Sequence, residues 1–156
     1  MTKQGKQLRE VLQTHGLRYS RPREVILTYF GERDLHVSAE EVHLELKNRG
    51  ENLSLSTVYL NLGVLKHAGL VREFSGVGGE ALYDSNVGPH HHLICTRCSR
   101  VLDLPEVDVA DTTLSALLKA RATSATGWQV EEPSIGLQGV CPECQAKECQ
   151  AKTHTS

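Results

Sequence analysis

Four cysteines arranged as two Cys-x-x-Cys pairs carry the clearest chemistry in this sequence. Cys95 and Cys98 form the first pair, and Cys141 and Cys144 form the second. Four thiolates complete the tetrahedral coordination of Zn2+ and leave no open position, so the pattern predicts a structural zinc site. A thioredoxin-like redox centre would need one such pair in a βαβ context. A zinc deaminase would need a proline before its Cys-x-x-Cys, whereas Pro142 lies inside the second pair.

Three consecutive histidines lie immediately before the first cysteine pair, in the stretch HHHLIC. In a β-strand alternate side chains point to opposite faces, so His90 and His92 share one face while His91 lies on the other with Cys95. The stretch is therefore expected to serve two sites, one on each face. Carboxylates lie nearby in the sequence at Asp84 and Asp103. Mixed nitrogen and oxygen ligands suit Fe2+, Mn2+ or Zn2+, although histidines that bind no metal have the same pattern.

Composition places the chain among soluble globular proteins of one or two small domains, since 39% of its 156 residues are hydrophobic and 23% are charged. No apolar run approaches the ~20 residues of a membrane span, and the N-terminus lacks the apolar core of a signal peptide. We therefore expect a cytoplasmic protein with reduced thiols and no membrane partner. The net charge is −2, yet residues 1–23 carry six Lys or Arg against Glu10 alone. Such a cationic face suits phosphate contacts and equally fits a solvated helix.

Helical periodicity with capping signals predicts four helices in the first half of the chain, in KQLREVLQTHG, SRPREVILTYFGERD, HVSAEEVHLELKNRG and SLSTVYLNLGVLKHAG. Ser38 and Glu41 have the spacing of a capping box, and Ser54 is the expected cap of the fourth helix. Two strands, LVREF and ALYD, follow around a glycine-rich turn. Short helices followed by a hairpin describe a winged helix-turn-helix, whose last helix would present polar groups to a major groove. An ordinary helical bundle with a polar exterior remains the alternative.

The second half of the chain has a different pattern. The stretches HHLIC, RVLDL and IGLQGVC predict strands, and VADTTLSALLKARATSATG predicts one helix. The whole sequence therefore predicts an α+β fold, in which an N-terminal winged helix-turn-helix domain precedes a separate α/β domain. We expect the winged domain at residues 1–84, a hinge at 85–89, the second domain at 90–147 and a disordered tail at 148–156.

Five segments in this order resemble the ferric uptake regulator family of bacterial metal-dependent repressors: GLRYSRPREVIL, HVSAEEVHLEL, LSLSTVYLNLGVLKHAGLV, HHHLICTRCSRVLDL and GVCPEC. Within that family the chain most resembles the peroxide-responsive branch and its iron- and manganese-sensing relatives. The resemblance implies a transcriptional repressor, not an enzyme, that controls genes of metal homeostasis or oxidative stress. It also implies a homodimer, paired through its C-terminal domains, with each winged domain on half of a palindromic, A·T-rich double-stranded DNA operator.

The resemblance also assigns site residues, and the four cysteines match the family's structural zinc site. Five residues match its regulatory site, which holds Fe2+ or Mn2+ and can take Zn2+ in vitro: His36, Asp84, His90, His92 and Asp103. Six residues match its DNA contacts: Arg18, Arg23, Ser56, Thr57, Tyr59 and Asn61. Zinc-uptake relatives usually place a cysteine in the regulatory site, and this set contains none. That branch and a zinc-dependent enzyme are kept as the alternatives.

Three positions depart from the family pattern. Leu60 stands where relatives often carry arginine or asparagine, which leaves the base preference open. His91 stands where iron-uptake regulators often have aspartate, and Pro133 lies near the position of a later histidine, so an additional metal site is expected to be absent or degraded. By the same resemblance, the regulatory metal would fix the angle between the two domains and so favour the DNA-binding arrangement. With Fe2+ bound, peroxide would oxidise His36 or His90, whereas Mn2+ would act as a plain corepressor.

Overall fold

The computed structural model describes the backbone of residues 3–153 and the side chains of residues 5–147. The chain forms two compact units, one made of residues up to 75 together with 79–87, and the other of residues from 88 onward together with 76–78. No helix within the described backbone is both long and apolar enough to cross a membrane. The domain scheme expected from the sequence, with its hinge and its assigned tasks, stays a prediction.

The first unit begins with four helices, as the sequence predicted: α1 (Lys3–Thr14), α2 (Arg21–Phe30), α3 (Ala39–Asn48) and α4 (Leu55–His67). The capping box is confirmed, because the Ser38 hydroxyl accepts the Glu41 N–H and the Glu41 carboxylate accepts the Ser38 N–H. Ser54 caps α4 by accepting the N–H of Thr57 at 3.1 Å. These local signals fix where each helix starts, and so which face of each helix reaches the core.

An apolar core joins the four helices of this unit. Its fully buried side chains come from every helix and repeat at helical spacing: Leu12, Ile26, Val42, Val58, Leu62 and Leu65. Burying such side chains stabilises a fold by roughly 1.5–3 kcal/mol each. The α4 positions between the buried ones face outward, which leaves this helix with a surface that the core does not use.

A three-stranded antiparallel sheet completes the first unit. The predicted hairpin is confirmed as β2 (Arg72–Ser75) and β3 (Ala81–Asp84), while a short strand, β1 (His36–Val37), was not predicted. The strand order is β1-β3-β2, and the register places His36 opposite Asp84. Helices followed by this sheet form the winged helix-turn-helix fold expected from the sequence.

The second unit is built on a sheet of three strands, β4 (His90–Cys95), β5 (Val101–Pro105) and β8 (Gly136–Gly139). The strand β4 lies in the middle, antiparallel to β5 and parallel to β8. A two-stranded hairpin, β6 (Asp108–Val109) and β7 (Thr112–Thr113), and the helix α5 (Leu114–Thr126) lie between β5 and β8. This mixture of helix and sheet confirms the predicted α+β fold class.

The start of α5 corrects the sequence prediction, which began this helix at residue 109. Ala110 adopts a left-handed backbone conformation with φ 53°, which turns the chain between β6 and β7. Thr113 then caps the helix by accepting the N–H of Ala116 at 3.2 Å. Strand pairing of the residues before Thr113 therefore replaces the first predicted turn of helix.

A final helix, α6 (Pro142–Thr153), begins inside the second cysteine pair. The disordered tail expected at residues 148–156 lies beyond the described side chains. The backbone of 148–153 continues α6, and residues 154–156 lie outside the described residues.

Candidate metal centres and nucleic-acid interface

The four cysteines of the two Cys-x-x-Cys pairs come together in the second unit. Their Sγ atoms, from Cys95, Cys98, Cys141 and Cys144, all lie within 4.8 Å of one another. Strand pairing produces this meeting, because β4 ends at Cys95 opposite Gly139 of the parallel strand β8, two residues before the second pair begins. A tight turn with Ser99 at φ 60° follows the first pair. The structure therefore gathers the four residues that the sequence pattern predicted as one site.

The spacing of the thiols fits a tetrahedral zinc ion. Sulfur atoms about 2.3 Å from a tetrahedral Zn2+ lie about 3.8 Å apart, and Cys98 Sγ lies 3.8 Å from Cys141 Sγ. The Cys95 sulfur accepts the backbone N–H groups of Cys141 and Arg97 at 3.3 and 3.4 Å. The Cys141 N–H is the main reason why the pKa of the Cys95 thiol falls to about 6. A hydrogen bond to the Cys141 sulfur raises the pKa of Cys144 to about 12, so a cation must displace that proton to be bound by all four thiolates.

A second set of ligating groups lies on one face of β4. The Nε2 atoms of His90 and His92 are 3.0 Å apart, and an Asp103 carboxylate oxygen lies 3.6 and 3.7 Å from them, respectively. The predicted alternation along this strand is confirmed, and the register places His92 opposite Asp103 on β5. His90 Nδ1 lies 2.8 Å from the Gly88 carbonyl, which is the bond that holds a metal-ligating imidazole by its other nitrogen.

The first unit holds a smaller set of the same chemistry. His36 Nε2 lies 3.7 Å from a carboxylate oxygen of Asp84, whose side chain is almost fully buried. The other Asp84 oxygen accepts the Asn86 N–H at 2.7 Å, and the His36 ring packs edge-on against Phe74. Each unit by itself therefore presents part of the five-residue set expected from the sequence. The sequence pattern alone did not reveal β1, the strand that pairs His36 with Asp84.

The opposite face of β4 carries a cluster that the sequence did not single out. His91 is buried, and its Nε2 lies 3.1 Å from Glu106, just after β5. Glu106 also accepts the backbone N–H groups of Val107 and Ser115. The Ser115 side chain and then the His91 ring are the hydrogen-bond partners that lower the pKa of Glu106 to about 2. The one signal available in the sequence was an acidic residue directly after the strand RVLDLP.

Replacing Glu106 with glutamine is expected to lower the thermal unfolding midpoint without changing the metal content of the protein. The pKa of Glu106 is lowered, so the ionised form stabilises the folded state above about pH 4.5, and this contribution is lost only as the pH falls toward 2. The charge of Glu106 should therefore give wild type a higher midpoint than Glu106→Gln at pH 7, and this advantage should shrink as the pH falls from 4.5 toward 2. Metal analysis of both proteins tests the expectation that the metal content is unchanged. Loss of an ion from the variant would instead indicate that Glu106 is a metal ligand.

The predicted DNA contacts do not all lie on one surface of the first unit. Ser56 and Tyr59 are exposed on the outer side of α4, and Arg18 is exposed ahead of α2. Thr57 is half-buried in the first turn of α4. The Tyr59 hydroxyl donates a hydrogen bond to Glu40 on α3, which lowers the pKa of that carboxyl group.

Arg23 and Asn61 have internal partners instead. The Arg23 guanidinium donates to the Arg18 carbonyl, while its Nε is buried without a hydrogen-bond partner among the described residues. Asn61 is 6% exposed and donates to the Thr57 carbonyl at 2.8 Å. Its amide therefore faces the interior of the unit in this structure, and the DNA contact expected of Asn61 stays a prediction.

Similar proteins share the sequence features of both units. Residues 14–132 match the model of the ferric uptake regulator family. The chain is 30% identical over 145 residues to the peroxide operon regulator of Bacillus subtilis (strain 168). The aligned region covers 92% of this chain and 94% of that protein. The matched family segment spans the positions of all the expected regulatory ligands, while the second cysteine pair lies beyond it.

Two solved structures share the fold. The crystal structure of the Vibrio cholerae ferric uptake regulator superposes with a TM-score of 0.65 at 28% identity, over 85% of this chain and 98% of that one. The ferric uptake regulator from Pseudomonas aeruginosa, solved with manganese, superposes with a TM-score of 0.63 at 27% identity, over 86% and 98% of the two chains. These structures cover most of both chains, so the similarity includes the two units described above.

Proposed function

The chain belongs to the ferric uptake regulator family, and from this membership we propose that it is a cytoplasmic, homodimeric repressor that binds a palindromic, A·T-rich operator when a divalent metal is bound. Members of the family are dimeric DNA-binding transcriptional regulators, so the zinc-dependent enzyme considered from the sequence is set aside. Among their number, the relative from Bacillus subtilis is named for a peroxide operon. We extend that signal to this chain as part of the proposal.

The observation that carries the proposal is the convergence of two imidazoles and a carboxylate on one face of β4. His90 and His92 bring their Nε2 atoms to 3.0 Å of each other, with Asp103 beside both. Two neutral imidazoles and a carboxylate are ligands that Fe2+, Mn2+ and Zn2+ accept. A buried aspartate beside a histidine, Asp84 with His36, offers the same chemistry in the first unit.

The regulatory site that we propose draws on both units of the chain. It consists of five residues, namely His36, Asp84, His90, His92 and Asp103. A cation that needs ligands from both units binds one arrangement of them better than the others, and so shifts the population toward that arrangement. Helix-turn-helix dimers require their recognition helices at the spacing of the DNA half-sites. In this way the metal ion would control the affinity of the protein for DNA without contacting the DNA itself.

The four-cysteine cluster has a structural role, separate from the regulatory site. We assign it to a Zn2+ ion that stabilises the second unit, because four thiolates satisfy the ion and leave no position for a substrate or signal. The regulatory cation is Fe2+ or Mn2+, and Zn2+ can replace it in vitro. When bound, Fe2+ supplies the redox chemistry by which peroxide oxidises a nearby imidazole, whereas Mn2+ does not. His36 and His90 are the rings that we expect to be modified.

The DNA contacts are proposed on the outer side of α4 and on the segment before α2. Ser56, Thr57 and Tyr59 lie in the first half of α4, the part of a recognition helix that meets base edges. Arg18 is exposed and suits an A·T-rich minor groove. Arg23 donates to the Arg18 carbonyl, so it would act mainly by positioning Arg18.

Exposure of the protein to peroxide tests this function directly. The full-length protein is loaded with Fe2+ or with Mn2+, and an operator is selected from random DNA with the Mn2+ form. Peroxide should release DNA from the Fe2+ form and add one oxygen to a peptide containing His36 or His90, as measured by mass spectrometry. The Mn2+ form should keep its DNA and its mass. DNA binding that persists after all exchangeable metal is chelated would contradict the proposal.

A further inference from the structure

We propose that Leu60 and Gly63 form an apolar reading surface on α4 that recognises thymine methyl groups in the operator. This inference rests on the proposed DNA-binding function and adds a specificity determinant to it. Leu60 departs from the family pattern, and neither residue belongs to the set of expected DNA contacts. The two residues are three positions apart, so they lie on the same side of the helix.

The exposure of Leu60 is the first observation. Its side chain is 69% exposed, although Leu62 and Leu65 of the same helix are fully buried. The outer side of the helix repeats at helical spacing as Ser56, Tyr59, Leu60, Gly63 and His67. Leu60 therefore presents most of its apolar surface on the same side as Tyr59, in the part of the helix that meets base edges.

The presence of a glycine at position 63 is the second, independent observation. This residue lies in the middle of α4, where glycine is less favourable than alanine because it leaves more backbone freedom to be lost on folding. A Cβ atom built on Gly63 would meet no atom of the described residues within 4 Å outside the backbone of its own helix. No contact among the described residues of the first unit therefore requires a glycine at this position. Gly63 is half-buried, and a missing side chain beside the exposed Leu60 is explained if another molecule approaches the backbone closely there.

The surroundings of the two residues fit DNA. Leu60 and Gly63 line an open groove of about 580 Å³ together with the apolar side chains of Leu17 and Val64. Two imidazoles, His15 and His67, complete its edges, and no carboxylate is among the described residues that line it.

The group that an apolar side chain would contact in a major groove follows from the chemistry of the base edges. Each base pair shows a distinct pattern of donors and acceptors there, and thymine alone adds a methyl group. The space beside Leu60 over Gly63 would accept that methyl group. Leu60 thus replaces polar readout with apolar readout, and the operator should carry a thymine at a symmetric position in each half-site.

Substitution of single thymines by deoxyuridine tests this inference, because it removes only the methyl group. An operator duplex is selected with the full-length, Mn2+-loaded protein, and each thymine pair related by the palindrome is replaced in turn. Burial of one methyl group is worth about a fourfold change in affinity, so loss at both half-sites should weaken wild-type binding about 15-fold at one thymine pair. Leu60→Ala should bind the unmodified duplex more weakly and show no further loss with deoxyuridine at that pair.

Two further variants sharpen the test. Leu44→Ala is the matched control, since Leu44 is another exposed leucine, on α3 of the same unit, with 59% exposure, and it should keep the deoxyuridine penalty. Gly63→Ala should raise the thermal unfolding midpoint by about 2–4 °C while it weakens DNA binding, because the added methyl group favours the helix and occupies the reading surface.

Three results would overturn the inference. The first is a deoxyuridine penalty that is the same in wild type and Leu60→Ala. The second is no penalty at any thymine pair. The third is unchanged operator affinity in Leu60→Ala, which would assign the apolar surface to a different partner, such as a protein. If the wild-type protein binds no duplex at all, the proposed function fails first and this inference fails with it.

Discussion

Replacing His36 with alanine is expected to abolish the metal dependence of operator binding and to lower the affinity of the Mn2+-treated protein about 100-fold or more. His36 is the imidazole that the first unit contributes to the proposed regulatory site, beside the buried Asp84. Converting a population from mostly inactive to mostly active needs about 5 kcal/mol of preferential binding. With Asp84 as the one remaining proposed ligand from the first unit, the cation retains much less preference between arrangements. Fluorescence anisotropy of a labelled operator, titrated with protein at several Mn2+ concentrations, measures the effect.

His43→Ala provides the matched control for this experiment. His43 lies on α3 of the same unit, outside the proposed ligand set, and its replacement should leave metal dependence unchanged. Because the His36 ring packs against Phe74, His36→Gln is made as a second variant that keeps side-chain volume. Both His36 variants should unfold near the wild-type temperature and keep their tightly bound zinc. Unaltered dependence on Mn2+ in two well-folded His36 variants would remove this residue from the mechanism.

Signals that act within a few residues were predicted correctly from the sequence. The capping box of Ser38 and Glu41 is local, because both partners lie within one turn of the same helix. The shared face of His90 and His92 follows from the two-residue period of a strand, which needs no knowledge of the rest of the fold. The cysteine cluster depends on contacts between distant residues. It was nevertheless predictable, because two Cys-x-x-Cys pairs in one chain are a specific pattern for a shared metal site.

Features that depend on pairing with distant segments were missed. The strand β1 has only two residues and exists because β3 pairs with it some 46 residues later, so no periodicity reveals it. Glu106 meets His91 only after β5 has paired with β4. The start of α5 was placed too early because the hairpin of β6 and β7 competes for the same polar residues. Long-range pairing overrides local preference in each of these cases.

The position of Asn61 could have been predicted from α4 itself. Asn61 lies three residues after Val58 and four before Leu65, both of which are fully buried, so helical spacing places it on the inner side. Its neighbour Leu60 lies about 100° around the helix and is mostly exposed. The amide of Asn61 instead donates to the Thr57 carbonyl, which satisfies a polar group that burial would otherwise leave unpaired. Polarity alone was therefore a poor guide to which residues of α4 face outward.

Removal of the cysteine-bound zinc is expected to unfold the second unit while the first unit stays folded. The buried apolar side chains are unevenly divided, since among the described residues only Ile94 and Cys95 of the second unit belong to them, against fourteen in the first. Large apolar side chains of the second unit are instead exposed in the single chain, including Leu93, Leu102, Leu117, Leu118, Trp128 and Leu137. A structural zinc site supplies about 10–16 kcal/mol of apparent binding energy at neutral pH, which exceeds what so small a core provides.

Cys144→Ser tests this expectation together with chelation of the wild-type protein under reducing conditions. Hydrogen–deuterium exchange followed by mass spectrometry should show that β4, β5 and β8 lose protection, whereas α2, α3 and α4 keep it. Glu143→Ala is the matched control, because it removes an exposed ion pair with Arg100 next to Cys144 and leaves all four thiols in place. That control should keep both its zinc and its protection. If β4 stays protected after the zinc is gone, the second unit is held together by its own packing or by a partner copy, and the cysteine cluster would need another purpose.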